Sequence, residues 1–316
     1  MKMFKDYNLN LILTIVIVSI IFLCLLIVNT RLILVKRIKT KVKPLVKSEL
    51  VKKKFFRTSD NYQLKWLGEI KKESSHIILG VHDFGMSRKS FIDTEMYINK
   101  YYKNISFLSY DQRNFGENEN CNKFNYGYLI NDLREIIIYL ENKYPDKKLI
   151  LLGEGFGSSL SSYFVNHSYV NKVILSSIYV KQFNKISFSI IIKFLFSFLF
   201  TYNIKINNKL YGEDCTNNSQ YAKKLGELLQ RKKSIKEFMQ ISKINKKLAS
   251  NINKKEKSVV FLLPLNDVFI SKKWLLTNLR DISNKKFQII KFEKNKHFLL
   301  NDLNNKEIVE TILKDI

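Results

Sequence analysis

The segment Leu149–Ser159 constrains the fold of this chain more than any other. Its sequence, LILLGEGFGSS, passes from an apolar run to glycines at positions 153, 155 and 157, and then to small polar residues. An apolar run that ends in glycine predicts a buried strand followed by a sharp turn, and the residues beyond can continue as a helix. We therefore expect Gly155 at the tip of a strand–turn–helix unit.

Strand and helix patterns alternate along most of residues 55–316. A strand pair with a turn at 59–61 is predicted between Phe55 and Ile70. Further buried strands are predicted at 76–81, 105–110, 149–152, 173–176, 259–263 and 287–292, and helices at 91–102, 126–140 and 156–165. This alternation predicts an α/β fold with a mostly parallel sheet, flanked by helices, whose functional loops follow the carboxyl ends of the strands.

The alternation stops between residues 180 and 257, which we interpret as an inserted helical lid. Its first part, 186–202, is strongly apolar but carries Lys193 at its centre, and the remainder is rich in lysine. A second membrane span is the alternative for 186–202. We favour a lid, which could cover an acyl chain or rest on a membrane, because the strand at 259–263 must return to the same sheet.

The N-terminal segment 1–30 is predicted to be a transmembrane anchor. No charged side chain occurs from Tyr7 to Thr30, and Leu11–Val28 is almost entirely apolar. About 20 apolar residues span a bilayer as a helix. A cleaved signal peptide is the alternative, but no small-residue cleavage site follows.

The segment 31–54 is predicted to be a basic juxtamembrane linker, with ten lysines and arginines against the single acid Glu49. Positive residues remain on the cytoplasmic side, so we expect the soluble domain, 55–316, on the cytoplasmic face of the cell membrane. The linker could lie on anionic headgroups, which makes membrane lipids a predicted partner, or it could be solvated.

The overall charge of +26, from 54 Lys and Arg against 28 Asp and Glu, does not by itself indicate nucleic acid. The basic residues are spread along the chain without a nucleic-acid-binding motif, so we expect no such partner. The three cysteines, Cys24, Cys121 and Cys215, lack metal-site spacing, and no phosphate-binding loop is present. We expect no metal and no other cofactor, and the sequence leaves the oligomeric state open.

Loops with polar residues and glycine follow the predicted strands. They are His82-Asp83-Phe84-Gly85, residues 110–116, Gly153-Glu154-Gly155-Phe156-Gly157, residues 266–270 around Asp267, and Lys296-His297-Phe298. In this order they resemble the α/β-hydrolase superfamily, in particular its membrane-anchored bacterial members of the lysophospholipase, monoacylglycerol lipase and serine aminopeptidase type. The resemblance covers residue 55 to the C-terminus and is weakest in the lid.

The resemblance implies a role for each matching position. Asp267 would orient His297, which would act as general base and then general acid. The backbone N–H groups of Phe84 and Phe156 would form the oxyanion hole. Gly155 stands at the nucleophile position of the G-x-S-x-G elbow, where the family has serine.

Three positions depart from that pattern. Gly155 has no hydroxyl, Asp83 replaces a glycine and brings a carboxylate beside the oxyanion hole, and Lys296 replaces a small residue before the histidine. We expect the charge of Asp83 to oppose a developing oxyanion, and Gly155 to relieve backbone strain at the elbow. Of the nearby residues, His82 is interpreted as packing the loops, and Ser158 and Ser159 are expected to point away from the pocket.

These features lead to two functional hypotheses. The first is a membrane-anchored protein with a degenerate esterase or lysophospholipase-like site that binds a ligand, for example an acyl or lipid-like molecule, or serves as a scaffold. The alternative is an active hydrolase of acyl esters or lipids that uses a non-standard nucleophile or water activated by His297. A basic adhesion or nucleic-acid-binding module is a third class, based on lysine content alone.

Overall fold

A computed structural model describes most of the chain. The described residues are 2–121, 124–178, 192, 196, 205–206, 211–229, 233–252, 259–269 and 287–314. The predicted apolar lid helix at 186–202 lies outside these residues, apart from Ile192 and Phe196, both helical.

Nine strands form one sheet in the order β1-β2-β3-β5-β4-β6-β7-β10-β11, and β8 and β9 pair separately. The strands are β1 Glu49–Val51, β2 Phe55–Arg57, β3 Gln63–Leu67, β4 His76–Val81, β5 Ile105–Tyr110, β6 Lys148–Glu154, β7 Val170–Ser176, β8 Lys205–Ile206, β9 Lys233–Ser234, β10 Val259–Pro264 and β11 Phe287–Phe292. Strands β1, β2, β3 and β5 pair antiparallel, and all neighbours from β5 to β11 are parallel. The predicted mostly parallel sheet is confirmed.

Helices cover both faces of this sheet. The described helices are α1 Lys2–Val35, α2 Ile92–Tyr101, α3 Gly127–Lys143, α4 Phe156–Ser161, α5 Gly212–Cys215, α6 Ser219–Leu229, α7 Ile235–Ile252 and α8 Asn305–Leu313. Apolar side chains of α3, α4 and α7 share one core cluster with the sheet, while α2 and α8 contribute to a second. Within the described residues of the lysine-rich part of the insertion, α6 and α7 are helical, as predicted, and α7 repeats buried apolar residues with helical spacing.

The start of the chain differs from the predicted boundaries in two ways. Helix α1 continues past residue 30 to Val35, and β1 lies inside the predicted linker 31–54. Strand β1 pairs with β2, and Leu50 packs against the core, so the folded domain begins before residue 55. A strand of three residues has too short a pattern to be recognised in a lysine-rich segment.

Within the described residues, Leu9–Val35 is the one helix long and apolar enough to cross a membrane, with a mean hydropathy of 3.5. Its apolar side chains are exposed along most of its length. The central strands then set up the site: β4 and β6 are parallel neighbours, with Val81 opposite Gly153. The loops after these two strands consequently leave the same edge of the sheet side by side.

Candidate active site

The turn between β6 and α4 has the geometry predicted for an elbow. Gly155 links the two elements with φ 55° and ψ −115°, a conformation that favours glycine. The flanking glycines are required by close packing, since an added Cβ at Gly153 would lie 2.5 Å from the Cα of Ser158. At Gly157 it would lie 2.6 Å from the carbonyl carbon of Val81. The glycine frame thus lets α4 approach the strands closely.

The two backbone N–H groups expected to form an oxyanion hole converge on one point. Phe84 N and Phe156 N both donate to Asp83 Oδ1, each at 2.6 Å. The acceptor at that point is therefore a side-chain carboxylate of the protein itself. The sequence-based expectation placed Asp83 beside these two N–H groups, whereas the structure places its carboxylate directly on them as their acceptor.

The Asp83 carboxylate also fills the space of the missing side chain at position 155. A Cβ added to Gly155 would overlap Asp83 Cγ and Oδ1 and lie 2.6 Å from Oδ2. A side chain at 155 and the observed position of Asp83 therefore exclude each other. The departures from the family pattern at Asp83 and Gly155 therefore form one structural unit.

His297 lies between two carboxylates, and the three side chains form a buried chain of contacts. Its Nδ1 is 2.7 Å from Asp267 Oδ2, as the resemblance implied, and its Nε2 is 3.0 Å from Asp83 Oδ2. Phe269 N donates to Asp267 Oδ1 at 2.7 Å and fixes that carboxylate. His297 is fully buried and Asp83 nearly so. The nitrogen that would face a serine hydroxyl is thus bonded to Asp83.

Comparison with known proteins places this geometry in a family. Residues 73–304 match the family described as serine aminopeptidase, S33. The chain belongs to the serine aminopeptidase (S33) family. It has the α/β-hydrolase fold, and the solved structures similar to this family member include lipases and an esterase. No curated protein sequence matches it significantly.

Three solved structures illustrate the likeness of fold. Monoacylglycerol lipase of Paleococcus ferrophilus is 14% identical with a TM-score of 0.65, covering 79% of this chain and 97% of that one. A soluble variant of monoglyceride lipase of Saccharomyces cerevisiae is 15% identical with a TM-score of 0.66, covering 88% and 95%. An esterase of Exiguobacterium antarcticum is 15% identical with a TM-score of 0.59, covering 83% and 98%.

In this serine aminopeptidase (S33) family member, the electrostatics of the site favour a charged histidine. Burial alone disfavours the imidazolium, but Asp267 and Asp83 together outweigh it and raise the pKa of His297 to about 10. At neutral pH the imidazole is therefore protonated and has no lone pair with which to accept a proton. Burial, with the nearby charge of Asp83, raises the pKa of Glu154 to about 8, which keeps that carboxyl neutral.

Other residues singled out in the sequence have structural contacts. His82 Nδ1 donates to its neighbour's carbonyl, Asp83 O, at 2.7 Å, so its Nε2 accepts from Gln112 N at 3.0 Å. Burial lowers the pKa of His82, which is consistent with a neutral ring that ties the loops after β4 and β5 together. Gly85 adopts a positive φ of 80° in the same loop.

The first serine after the elbow and the lysine before His297 make contacts away from the histidine triad. Ser158 Oγ lies 2.8 Å from the carbonyl oxygens of both Gly153 and Ser176, so it faces the strands. Ser159 is also fully buried in α4. Lys296 Nζ donates to Glu213 O at 2.6 Å and thereby links the histidine loop to α5 of the insertion.

Sequence reasoning missed two contributors to this site. The Tyr126 ring packs against the rings of both Phe84 and Phe156, with centroids 6.0 Å away in each case, and so supports the two N–H donors. The Ser177 hydroxyl donates to His297 O from a residue with φ 53°. A non-glycine residue directly after a predicted strand gives no signal of such a contact. Among the described residues, no cluster of His, Cys, Asp and Glu could hold a metal ion.

Proposed function

We propose that this protein is a membrane-anchored family member that has lost serine-based hydrolysis and acts as a ligand-binding or scaffold protein. The observation that carries the proposal is the position of the Asp83 carboxylate, which takes the space of a side chain at 155. The same carboxylate accepts hydrogen bonds from both N–H donors of the proposed oxyanion hole and from Nε2 of His297.

Serine-based acyl transfer needs a nucleophile, a base that accepts its proton, and donors that stabilise the oxyanion. Gly155 supplies no nucleophile. A protonated His297 cannot act as the base, and the donors already bind a carboxylate. One side chain, Asp83, therefore accounts for the loss of two of the three functions, and the glycine accounts for the third.

Two observations support membrane anchoring and a lipid-like ligand. Helix α1 contains an exposed apolar stretch, Leu9–Val35, followed by a basic segment, which favours a cytoplasmic domain by the positive-inside rule. Similar solved structures include lipases that act on monoacylglycerol-type lipids according to their names. An acyl or lipid-like ligand under the insertion is consistent with both.

The test uses a serine-directed fluorophosphonate probe and a panel of acyl esters on the full-length protein. We expect no labelling of the native protein and none of Asp83→Gly alone. Gly155→Ser alone should remain unlabelled because Asp83 occupies the site, whereas Asp83→Gly with Gly155→Ser should be labelled. Ester hydrolysis by the native protein more than about 10³-fold above background, lost in His297→Ala, would overturn the proposal.

A second candidate is an active hydrolase whose nucleophile is Asp83, because its carboxylate stands at the nucleophile position with Oδ1 in the oxyanion hole. Oδ2 would attack an electrophilic carbon, the leaving group would depart with its electron pair, and water would hydrolyse the resulting ester. Loss of the Asp83 charge would lower the pKa of His297 and allow it to take the proton of that water. Turnover in H₂¹⁸O distinguishes the candidates: label entering Asp83 supports the nucleophile and contradicts the scaffold.

A further inference from the structure

The segment that follows the membrane helix, residues 36–47, is hydrogen-bonded to the domain at its N-terminal end. Val35, the last residue of α1, is buried, and its carbonyl accepts a hydrogen bond from Gln240 Nε2 at 3.1 Å. Asn125 accepts from Lys39 N at 3.0 Å and donates to Arg37 O at 2.9 Å. The segment therefore leaves the helix in a fixed direction along the domain.

The same segment is also hydrogen-bonded to the domain at its C-terminal end. The backbone N–H groups of Leu45 and Val46 both donate to Ser59 O, at 2.7 and 3.0 Å. The Ser48 hydroxyl donates to Glu135 Oε2 at 2.7 Å. Residues 36–47, which we call the basic strip, are thus held against the surface and do not form a free tether.

The basic strip has a high density of positive charge. Its charged residues are all basic: Lys36, Arg37, Lys39, Lys41, Lys43 and Lys47. All but Lys36 are exposed. None of the six takes part in a salt bridge with the described residues, whereas Arg57, Arg88 and Arg113 pair with carboxylates. These charges therefore remain available to an anionic partner.

The partner follows from where the strip begins. The apolar span Leu9–Val35 ends one residue before it, so a bilayer that holds α1 brings its headgroups to Lys36 and the residues after it. Charges within about 10 Å of an anionic surface are attracted to it without being fully screened. We infer that the basic strip binds anionic phospholipid headgroups and holds the domain in one orientation on the bilayer, an inference that rests on the membrane anchoring proposed above.

The orientation has a consequence for the site. Gln240, which bonds the end of α1, also accepts from Tyr126 N at 3.1 Å, and the Tyr126 ring packs on Phe84 and Phe156. The support of the two oxyanion-hole donors is therefore connected to the end of the membrane helix through one side chain. Headgroup binding by the strip keeps that side of the filled site toward the membrane.

The test reconstitutes the full-length protein in nanodiscs of phosphatidylcholine, with and without phosphatidylglycerol, and measures backbone hydrogen exchange. We expect exchange over residues 36–47 to slow by about threefold or more when phosphatidylglycerol is present, and to recover at high salt. Exchange over 96–101, in α2 at the opposite face of the sheet, should not change.

Charge-removal variants supply the matched comparison. Lys39→Gln, Lys41→Gln and Lys43→Gln together should abolish the lipid dependence, while Lys100→Gln, Lys103→Gln and Lys306→Gln should retain it. Equal exchange in both lipids, with the protein incorporated, would overturn the inference and leave the anchoring intact. Failure of the native protein to enter nanodiscs would refute the anchoring itself and the inference with it.

Discussion

Two buried ionic triads in this protein have the same arrangement but different cations. In one, His297 lies between Asp83 and Asp267. In the other, Arg113 donates to Asp132 at 2.7 and 3.0 Å and to Asp60 at 2.7 and 2.8 Å. Arg113 cannot lose its proton, so the cation of the second triad keeps its charge at every pH of interest. The imidazole of His297 can lose its proton, so only the site triad has a cation that titrates.

The triads also differ in what surrounds them. The Arg113 guanidinium packs over the Tyr62 ring at 4.3 Å and joins the turn between β2 and β3 and the loop after β5 to α3. Burial raises the pKa of Asp132 to about 6 even though Arg113 lowers it, a sign that this carboxylate is deeply desolvated, while Asp60 is partly exposed. The arginine triad thus ties the fold together. In the histidine triad, Asp83 fills the space that a side chain at position 155 would otherwise occupy.

The largest expected effect is on the arginine triad. Arg113→Met leaves two carboxylates without their shared cation, and breaking a buried pair in this way costs about 3–5 kcal/mol. Urea-induced unfolding of the full-length protein in detergent measures this loss of free energy of unfolding. Arg57→Met is the control, since its pair with Glu49 is exposed and should contribute about 0–1 kcal/mol. Equal losses in the two variants would contradict the role assigned to Arg113.

A smaller effect is expected when the histidine triad is disrupted. His297→Asn should destabilise the protein by about 2–3 kcal/mol, less than Arg113→Met, because one of the two facing carboxylates can take up a proton. Adding Asp83→Asn should recover part of this loss, with a coupling of about 1–3 kcal/mol. Additive losses in the double variant would show that Asp83 and His297 do not interact.

The pH dependence of stability separates the triads directly. The pKa of His297 is raised from 6.5 to about 10 in the folded protein, so its stabilisation is complete below pH 6.5 and is lost as the pH rises through 10. The free energy of unfolding should fall in that window by at most about 1.4 kcal/mol per pH unit from this group. The contribution of His297 is the difference in free energy of unfolding between the native protein and His297→Asn. If this difference does not change with pH, His297 is not a charged imidazolium in the folded protein.

The smallest effect is expected at the elbow. Gly155→Ala introduces a Cβ that overlaps Asp83 Cγ at a residue with φ 55°, and should cost about 1–3 kcal/mol. Asp83→Gly should relieve the steric part of this cost. Asp83→Gly should not restore the stability of Gly157→Ala, because the Cβ at 157 contacts the backbone of Val81 and His82. Thermal unfolding of the four variants makes the comparison.

The sequence predicts the fold well because strand patterns and glycine spacing are local signals. The strands and the elbow follow from these local patterns and from the rule that active loops leave one sheet edge. The approach of Asp267 to His297 and the two converging N–H groups were implied by the family resemblance. Strand β1 was not predicted because three residues in a lysine-rich segment carry no periodic signal. The location of the Asp83 carboxylate depends on the register of β4 against β6 and on one side-chain torsion, neither of which can be read from sequence.

The mutual exclusion of Asp83 and a side chain at 155 also determines how this protein could change further. Gly155→Ser alone creates a collision, and Asp83→Gly alone leaves two buried N–H groups without an acceptor. Either change alone is therefore expected to destabilise the fold. A side chain at 155 and a glycine at 83 can be reached by single mutations only through a destabilised intermediate, so these two positions are constrained to change together.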